Sequence, residues 1–215
     1  MAKMKYDNPV FEVINTIVDC FLVGLLWIFT SLPIFTIGAS SCALYSTLDK
    51  VTVHKTGYLF KEYMESFKAN FKQATLTWLI FLVLFLVLGY DLIYMKTALS
   101  QGLQLGVMYY FFMVVTAVAL AWAFYTFPYT ARFEGTIRDC LFKSFAMMIV
   151  NIGWSVLLVA IAYALFAFCN DLQFFFFLLP GGFGYLQHII LERVFKKYRT
   201  PEDIARERER YDARY

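Results

Sequence analysis

The chain has 215 residues, of which 60% are hydrophobic, 20% aromatic and only 16% charged. Soluble domains carry about 25% charged residues, so this composition excludes an ordinary water-soluble protein and predicts a chain solvated by lipid. The net charge of +3 is too small to indicate a nucleic-acid-binding surface.

The first predicted span covers about residues 11–32. Asn8 and Pro9 favour a helix start, because an Asn side chain can accept from first-turn amides and Pro is tolerated at the first helical position. Pro33 ends this helix, since the residue before a proline disfavours the helical region. Several equally apolar segments follow, so we expect no cleaved signal peptide.

A short helix is expected from about Ala39 to Val53. Small residues at its start would let another helix approach closely. Because it is too short to cross a membrane comfortably, we predict a re-entrant or interfacial element after the first span. If residues 32–47 instead complete a crossing, the chain has six spans rather than five and the N-terminus changes sides.

Residues 57–73 place apolar side chains at spacings of three and four between charged ones, which predicts an amphipathic helix. This helix would either lie on the membrane surface beside the next span or pack on the protein's own cytoplasmic ends. Residues 129–145 predict a second juxtamembrane helix of the same kind.

Four further spans are predicted at about residues 75–95, 106–128, 146–168 and 174–195. Pro128 is expected to mark the exit of the third span, residues 170–173 to form a tight polar turn, and Pro180 with two glycines to kink the fifth span. The predicted fold is therefore all-α, a multi-pass transmembrane helical bundle of five spans. It forms a single domain over residues 1–198, followed by a charged tail over 199–215.

Basic residues predict the orientation, because segments rich in Lys and Arg resist translocation. They concentrate in the connections after the first and third spans and in the C-terminal segment. The connection after the second span has only Lys96, and the connection after the fourth has none. We therefore expect the C-terminus to be cytoplasmic.

The sequence offers little support for catalysis or metal binding. HExxH, GxSxG and phosphate-binding glycine loops are absent from it. The four cysteines lack metal-ligand spacing and are interpreted as small apolar fillers. His54 is interpreted as a solvated residue of a connection. We therefore expect no enzyme activity, no metal and no cofactor.

Polar residues inside apolar spans are the better functional candidates, because a polar group in lipid needs a partner. Asn15, Asp19, Asn151 and His188 occupy such positions. They could line a solute pathway, or they could bind helices together.

Two pairs of charged residues are further candidates for a binding site. His188 lies four residues before Glu192, so their side chains can meet on one helical face. This pair could form a proton relay, half of a metal site or an ion pair. Arg132 and Glu134 follow the predicted third span and could form either a docking surface or a solvated interfacial ion pair.

Several short motifs along nearly the whole chain have a distinctive form. They are Leu32-Pro33, Thr36-Ile37-Gly38-Ala39, Ala43-Leu44-Tyr45, Ser66-Phe67-Lys68, Asn70-Phe71, Pro128, Ala131-Arg132-Phe133, Pro180 and Phe195-Lys196-Lys197-Tyr198. In these motifs the chain resembles the YesL-like bacterial membrane proteins, a domain-of-unknown-function family. The resemblance implies a bacterial plasma-membrane protein whose relatives often accompany carbohydrate-uptake or polysaccharide-utilisation systems. It supplies no catalytic residues.

Two functions are consistent with these observations. The first is a non-catalytic accessory of a carbohydrate-uptake system, whose partners would be the lipid bilayer and components of a sugar ABC-type transporter. The second is a small solute transporter or permease, motivated by the kinked helices and by Asn15 and Asp19. The sequence leaves the oligomeric state open.

Overall fold

The computed structural model describes residues 9–53, 55, 58–133, 135–171 and 177–198. Every regular element among them is helical, which confirms the predicted all-α class. The seven helices are α1 (Pro9–Thr30), α2 (Ile37–Thr47), α3 (Leu59–Ser100), α4 (Met108–Arg132), α5 (Ile137–Val150), α6 (Ile152–Asp171) and α7 (Leu179–Phe195). A π-helical segment (Leu48–Val53) continues α2, and short 3-10 turns precede α2 and α4.

Within the part of the chain that the structure describes, four helical segments are long and apolar enough to cross a membrane. They are Phe11–Thr30, Leu59–Ser100, Gln104–Arg132 and Ile152–Cys169. They contain most of the first four predicted spans. Within the described residues, the predicted fifth span is represented by α7, which has 17 residues, eight of them buried. The five-span count is therefore not confirmed.

The centre of the bundle is α2, which packs against α1, α3, α4 and α7. No residue from Thr36 to Thr52 is exposed. A helix lying on the outer surface of the bundle would expose one face, so α2 is an enclosed helix, and its re-entrant or interfacial depth in the membrane stays a prediction. Sequence reasoning missed the enclosure because the small residues of α2 give it a weak apolar signal, although they are what lets four helices approach it.

The sequence around Pro33 builds the sharp turn from α1 into α2. Thr36 closes the turn, since its hydroxyl donates to the carbonyl oxygens of Thr30 and Pro33, each at 2.6 Å. Gly38 then fits between α3 and α4. A Cβ atom there would lie 2.7 Å from Cβ of Trp78 and would also crowd Phe127.

The longest helix, α3, joins the predicted amphipathic segment and the second span into one rod of 42 residues. At about 1.5 Å per residue it is about 63 Å long, roughly twice the hydrocarbon thickness of a bilayer. In its first half Glu62, Tyr63 and Ser66 are buried. This half therefore packs on the protein itself, which was one of the two alternatives for the amphipathic segment.

The boundaries of α4, α5 and α6 differ from the predicted ones. Pro128 lies inside α4, which continues to Arg132, so its interpretation as an exit was wrong. The juxtamembrane helix α5 runs to Val150, and the break before α6 falls at Asn151 instead of near residue 145. A capping box between Thr136 and Asp139 starts α5, and the hydrogen bonds from Thr136 lower the pKa of the Asp139 carboxyl.

The start of α7 also differs from expectation. Pro180 lies in the first turn of this helix, where a missing amide is tolerated, so it does not kink a longer span. Residues 172–176 lie outside the described part of the chain, and so do His54 and the predicted tail over 199–215.

Candidate functional site

Four ionisable side chains meet at one end of the bundle and form what we call the charged quartet: Asp49, Arg132, His188 and Glu192. Nε2 of His188 lies 2.8 Å from Oδ1 of Asp49 and 4.0 Å from Oε1 of Glu192. Arg132 forms an ion pair with the same Glu192 oxygen. The four side chains are between 4% and 14% exposed, so the quartet is largely shielded from solvent.

Three elements position the quartet. Asp49 belongs to the π-helical segment after α2, Arg132 is the last residue of α4, and His188 and Glu192 lie one turn apart on α7. The hydroxyl of Tyr45 on α2 donates to Oε1 of Glu192 at 3.2 Å. Each element thus contributes a side chain that forms an ion pair or a hydrogen bond with a side chain of another element. The quartet therefore holds α2, its π-helical extension, α4 and α7 together.

A second buried ion pair lies next to the quartet along the chain. Nζ of Lys50 lies 3.0 Å from Oε2 of Glu62, and both side chains are largely buried. Since Glu62 is in the first turn of α3, this pair ties the end of α2 to the start of α3. Charged contacts therefore link four helices at the same end of the bundle.

The quartet has the charge pattern of an ion-pair network. Asp49 can accept only if Nε2 of His188 carries a proton, which fixes one tautomer of a neutral imidazole. Nδ1 of His188 is buried without a hydrogen-bond partner among the described residues. The two carboxylates lie close to one guanidinium and one imidazole, so the cation of Arg132 and the ring N–H of His188 are shared between them.

Three side chains of the quartet are also close enough together to be considered as ligands of a metal ion. Ligand atoms of Asp49, His188 and Glu192 all lie within 4.8 Å of one another. Arg132 already occupies the Glu192 carboxylate, however, and a guanidinium so close would repel a dication. The arrangement thus favours the ion-pair interpretation of His188 and Glu192 over the metal half-site.

The structure separates the candidates that sequence reasoning had grouped together. Arg132 joins His188 and Glu192 in the quartet, and its burial does not support a role in surface docking. Glu134 lies outside the described residues. Asn15 is exposed on α1 and Asp19 is half-buried on the same helix, and neither belongs to the quartet.

Asn151 has a structural position at the break between α5 and α6. Its side-chain amide donates to the carbonyl oxygen of Met147 at 2.9 Å and to the hydroxyl of Tyr198 at 3.3 Å. It therefore binds the end of α5 to the segment after α7. This is the helix-binding role that the sequence left open for it.

Sequence reasoning missed Asp49, Tyr45 and Gln187. Asp49 and Tyr45 lie on the short helix that was expected at the interface, so their partners on α7 could not be anticipated. Gln187 had a usable signal. A proline inside an apolar run removes one backbone donor, and in lipid a polar group elsewhere must replace it.

Gln187 repairs the backbone of α4 at its proline. Pro128 has no amide proton, which leaves the carbonyl oxygen of Phe124 four residues earlier without its helical donor. Nε2 of Gln187 donates to that oxygen at 2.7 Å. The side chain of Gln187 is almost completely buried, so α7 supplies the bond that α4 lacks.

We expect Gln187→Met to lower the free energy of unfolding by about 1–3 kcal/mol, because it leaves a buried carbonyl unsatisfied. Adding Pro128→Ala should recover much of this loss, since an alanine at this position supplies the missing amide. Unfolding of the two single variants and the double variant in detergent micelles measures the coupling. Additive effects would show that the hydrogen bond carries no net stability.

An apolar cavity of about 400 Å³ lies beside the Gln187–Phe124 contact. Apart from the indole N–H groups of Trp27 and Trp78, its described lining has polar side chains only at Ser41 and Gln187. Trp27 donates to Oγ of Ser41 at 3.2 Å, and Trp78 donates to the carbonyl oxygen of Ile34 at 2.7 Å. The donors of the lining are therefore already engaged within the protein.

Residues 20–92 match the model of a family described as "Protein of unknown function, DUF624". This segment contains the motifs from Leu32 to Phe71 that carried the sequence resemblance, together with Tyr45, Asp49 and Glu62. Comparisons with curated proteins and with solved structures gave no match. This match confirms the resemblance drawn from the sequence, since the YesL-like resemblance is consistent with membership of DUF624. Residues 20–92 thus correspond to DUF624, a family of unknown function.

Proposed function

We propose that this protein is a non-catalytic accessory of a bacterial carbohydrate-uptake system, held in the plasma membrane with its C-terminus in the cytoplasm. The apolar lining of the cavity between the helices carries the proposal. A sugar replaces its hydration shell with hydrogen bonds from polar side chains, and this cavity offers few that are not already engaged. The sugar would therefore pass through a partner.

The buried charges support the same role. Arg132, Glu192, His188 and Asp49 interact with one another inside the protein, as do Lys50 and Glu62. Such internal pairing stabilises one arrangement of the helices and leaves these groups unavailable for a solute. The YesL-like resemblance supplies the association with carbohydrate uptake, and components of a sugar ABC-type transporter would be the partners.

Carbohydrate uptake by a deletion strain and purification of native complexes test this proposal. A strain lacking the gene should take up the carbohydrate more slowly, and the tagged full-length protein should restore uptake and co-purify with transporter subunits in gentle detergent. The control is uptake of an unrelated amino acid, which should not change. A protein that emerges alone, together with normal carbohydrate uptake in the deletion strain, would refute the accessory role.

A small transporter is the second candidate, favoured by the presence of a cavity between helices that can span a membrane. In that role Asp19, half-buried on α1, would contact the solute or a coupling ion. Purified protein in proteoliposomes should then produce a solute flux that Asp19→Asn abolishes. Flux equal to that of empty liposomes would exclude this function for the solutes tested.

A further inference from the structure

The walls of the apolar cavity come from all four described helices that are long and apolar enough to span a membrane. Trp27 on α1, Phe85 on α3, Leu120 on α4 and Ala162 on α6 all line it, and Phe183 on α7 closes it. Along α4 the lining extends from Leu120 to Pro128, which is about 12 Å of helix. The cavity therefore lies at the depth of the spans.

The mouth of the cavity is continuous with the outer surface of those spans. Two lining residues reach that surface: Phe166 on α6 is 58% exposed and Leu120 on α4 is 37% exposed. Tyr163, one turn before Phe166 on α6, is also exposed, large and mainly apolar. A surface of this composition on membrane-spanning helices faces hydrocarbon, so the cavity opens sideways to lipid.

The interior of the cavity selects an apolar occupant. Water needs two to four polar partners to stay in a cavity, and here the donors of the lining are engaged. A volume of about 400 Å³ lies in the range of ligand pockets in proteins. The bilayer supplies a flexible apolar chain at this depth in large excess.

We propose that the cavity holds part of one acyl chain of a bilayer phospholipid, which enters between α4 and α6 past Leu120 and Phe166. The chain fills the space between the helices near Trp27, Phe124 and Phe183. The protein thus binds a lipid tail as a component of its own interior. This site is independent of the accessory role, because it follows from the cavity and its mouth alone.

Photocrosslinking with a defined lipid tests the site. The full-length protein is reconstituted in nanodiscs of phosphatidylethanolamine and phosphatidylglycerol containing a phospholipid with a diazirine near the end of one acyl chain. After irradiation, mass spectrometry of peptides should locate adducts on Phe124 or Phe183 inside the cavity. Adducts on Val114, which is exposed on the outside of α4, serve as an internal reference.

Ala162→Phe should fill the cavity. Displacing about two buried methylenes corresponds to a fall of about tenfold in the binding constant, so cavity adducts should fall by up to about tenfold while Val114 adducts stay constant. Ala164→Phe is the matched control: it makes the same change two residues away on the exposed face of α6 and should leave both adducts unchanged. If Ala162→Phe does not fold, Leu120→Trp replaces it. This substitution narrows the mouth of the cavity and should also reduce the cavity adducts.

Three outcomes would overturn the proposal. The first is labelling confined to outer residues such as Val114. The second is cavity labelling that neither Ala162→Phe nor Leu120→Trp reduces. The third is recovery of a stoichiometric apolar molecule other than a phospholipid from the purified protein, with no lipid adducts inside the cavity. The third result would retain the cavity as a binding site but assign it to a different ligand.

Discussion

Arg132→Met is expected to lower the free energy of unfolding by about 3–5 kcal/mol, the usual loss when one partner of a buried ion pair is removed. Arg132 is the cation of the charged quartet that remains charged at any accessible pH. The Tyr45 hydroxyl and the His188 imidazole also lie near Glu192, but neither carries a permanent positive charge. Reversible unfolding in mixed detergent micelles, followed by tryptophan fluorescence, measures the change.

Two further variants separate the loss of a buried pair from a general effect of charge removal. Lys61→Met breaks the exposed Lys61–Glu65 pair, whose atoms are 3.9 Å apart, and should leave stability almost unchanged. Arg132→Met combined with Glu192→Met should be more stable than Arg132→Met alone, since Glu192 is no longer left buried without its cation. A double variant as unstable as the sum of the single variants would contradict the quartet as a coupled unit.

The fold could be predicted from the sequence where one physical requirement dominates. In lipid, an apolar run of sufficient length must be a helix, so Pro9–Thr30 and the apolar half of α3 were predicted close to their observed positions. Helix ends were less accessible. Pro128 has the same local preference as Pro33, yet it lies inside α4, because Gln187 from a distant helix replaces the missing donor.

The candidate site was accessible only where its members share a helix. His188 and Glu192 were paired by their spacing of four residues, and Arg132 was singled out by its charge beside a span. Asp49 could not be joined to them, since that contact brings together residues 139 apart in the chain. Tertiary packing of the short helix α2 decides this contact, and local sequence patterns do not encode it.

A substitution at the crossing of α1 and α7 is also expected to reduce stability strongly, because the backbones of these helices are in contact at Gly181. A Cβ atom at Gly181 would overlap the backbone carbonyl of Cys20, which a side-chain rotation cannot relieve. On α1, Gly24 faces the same contact, since a Cβ there would lie 3.0 Å from the Gly181 amide nitrogen. Close approach of this kind is the reason small residues are enriched at helix crossings in membranes.

We expect Gly181→Ala to destabilise the protein by about 1–3 kcal/mol or more, because α1 and α7 must move apart and the contacts around Cys20 loosen. Gly182→Ala is the matched control on the next residue. A Cβ there meets no atom of the described residues within 4 Å, and Ala favours a helix over Gly by about 1 kcal/mol, so this variant should be as stable as the parent or more stable. Unfolding midpoints in detergent compare the two. Equal stability of the two variants would contradict the close backbone contact between α1 and α7. It would also contradict the burial of Cys20 and the adjoining packing against α2.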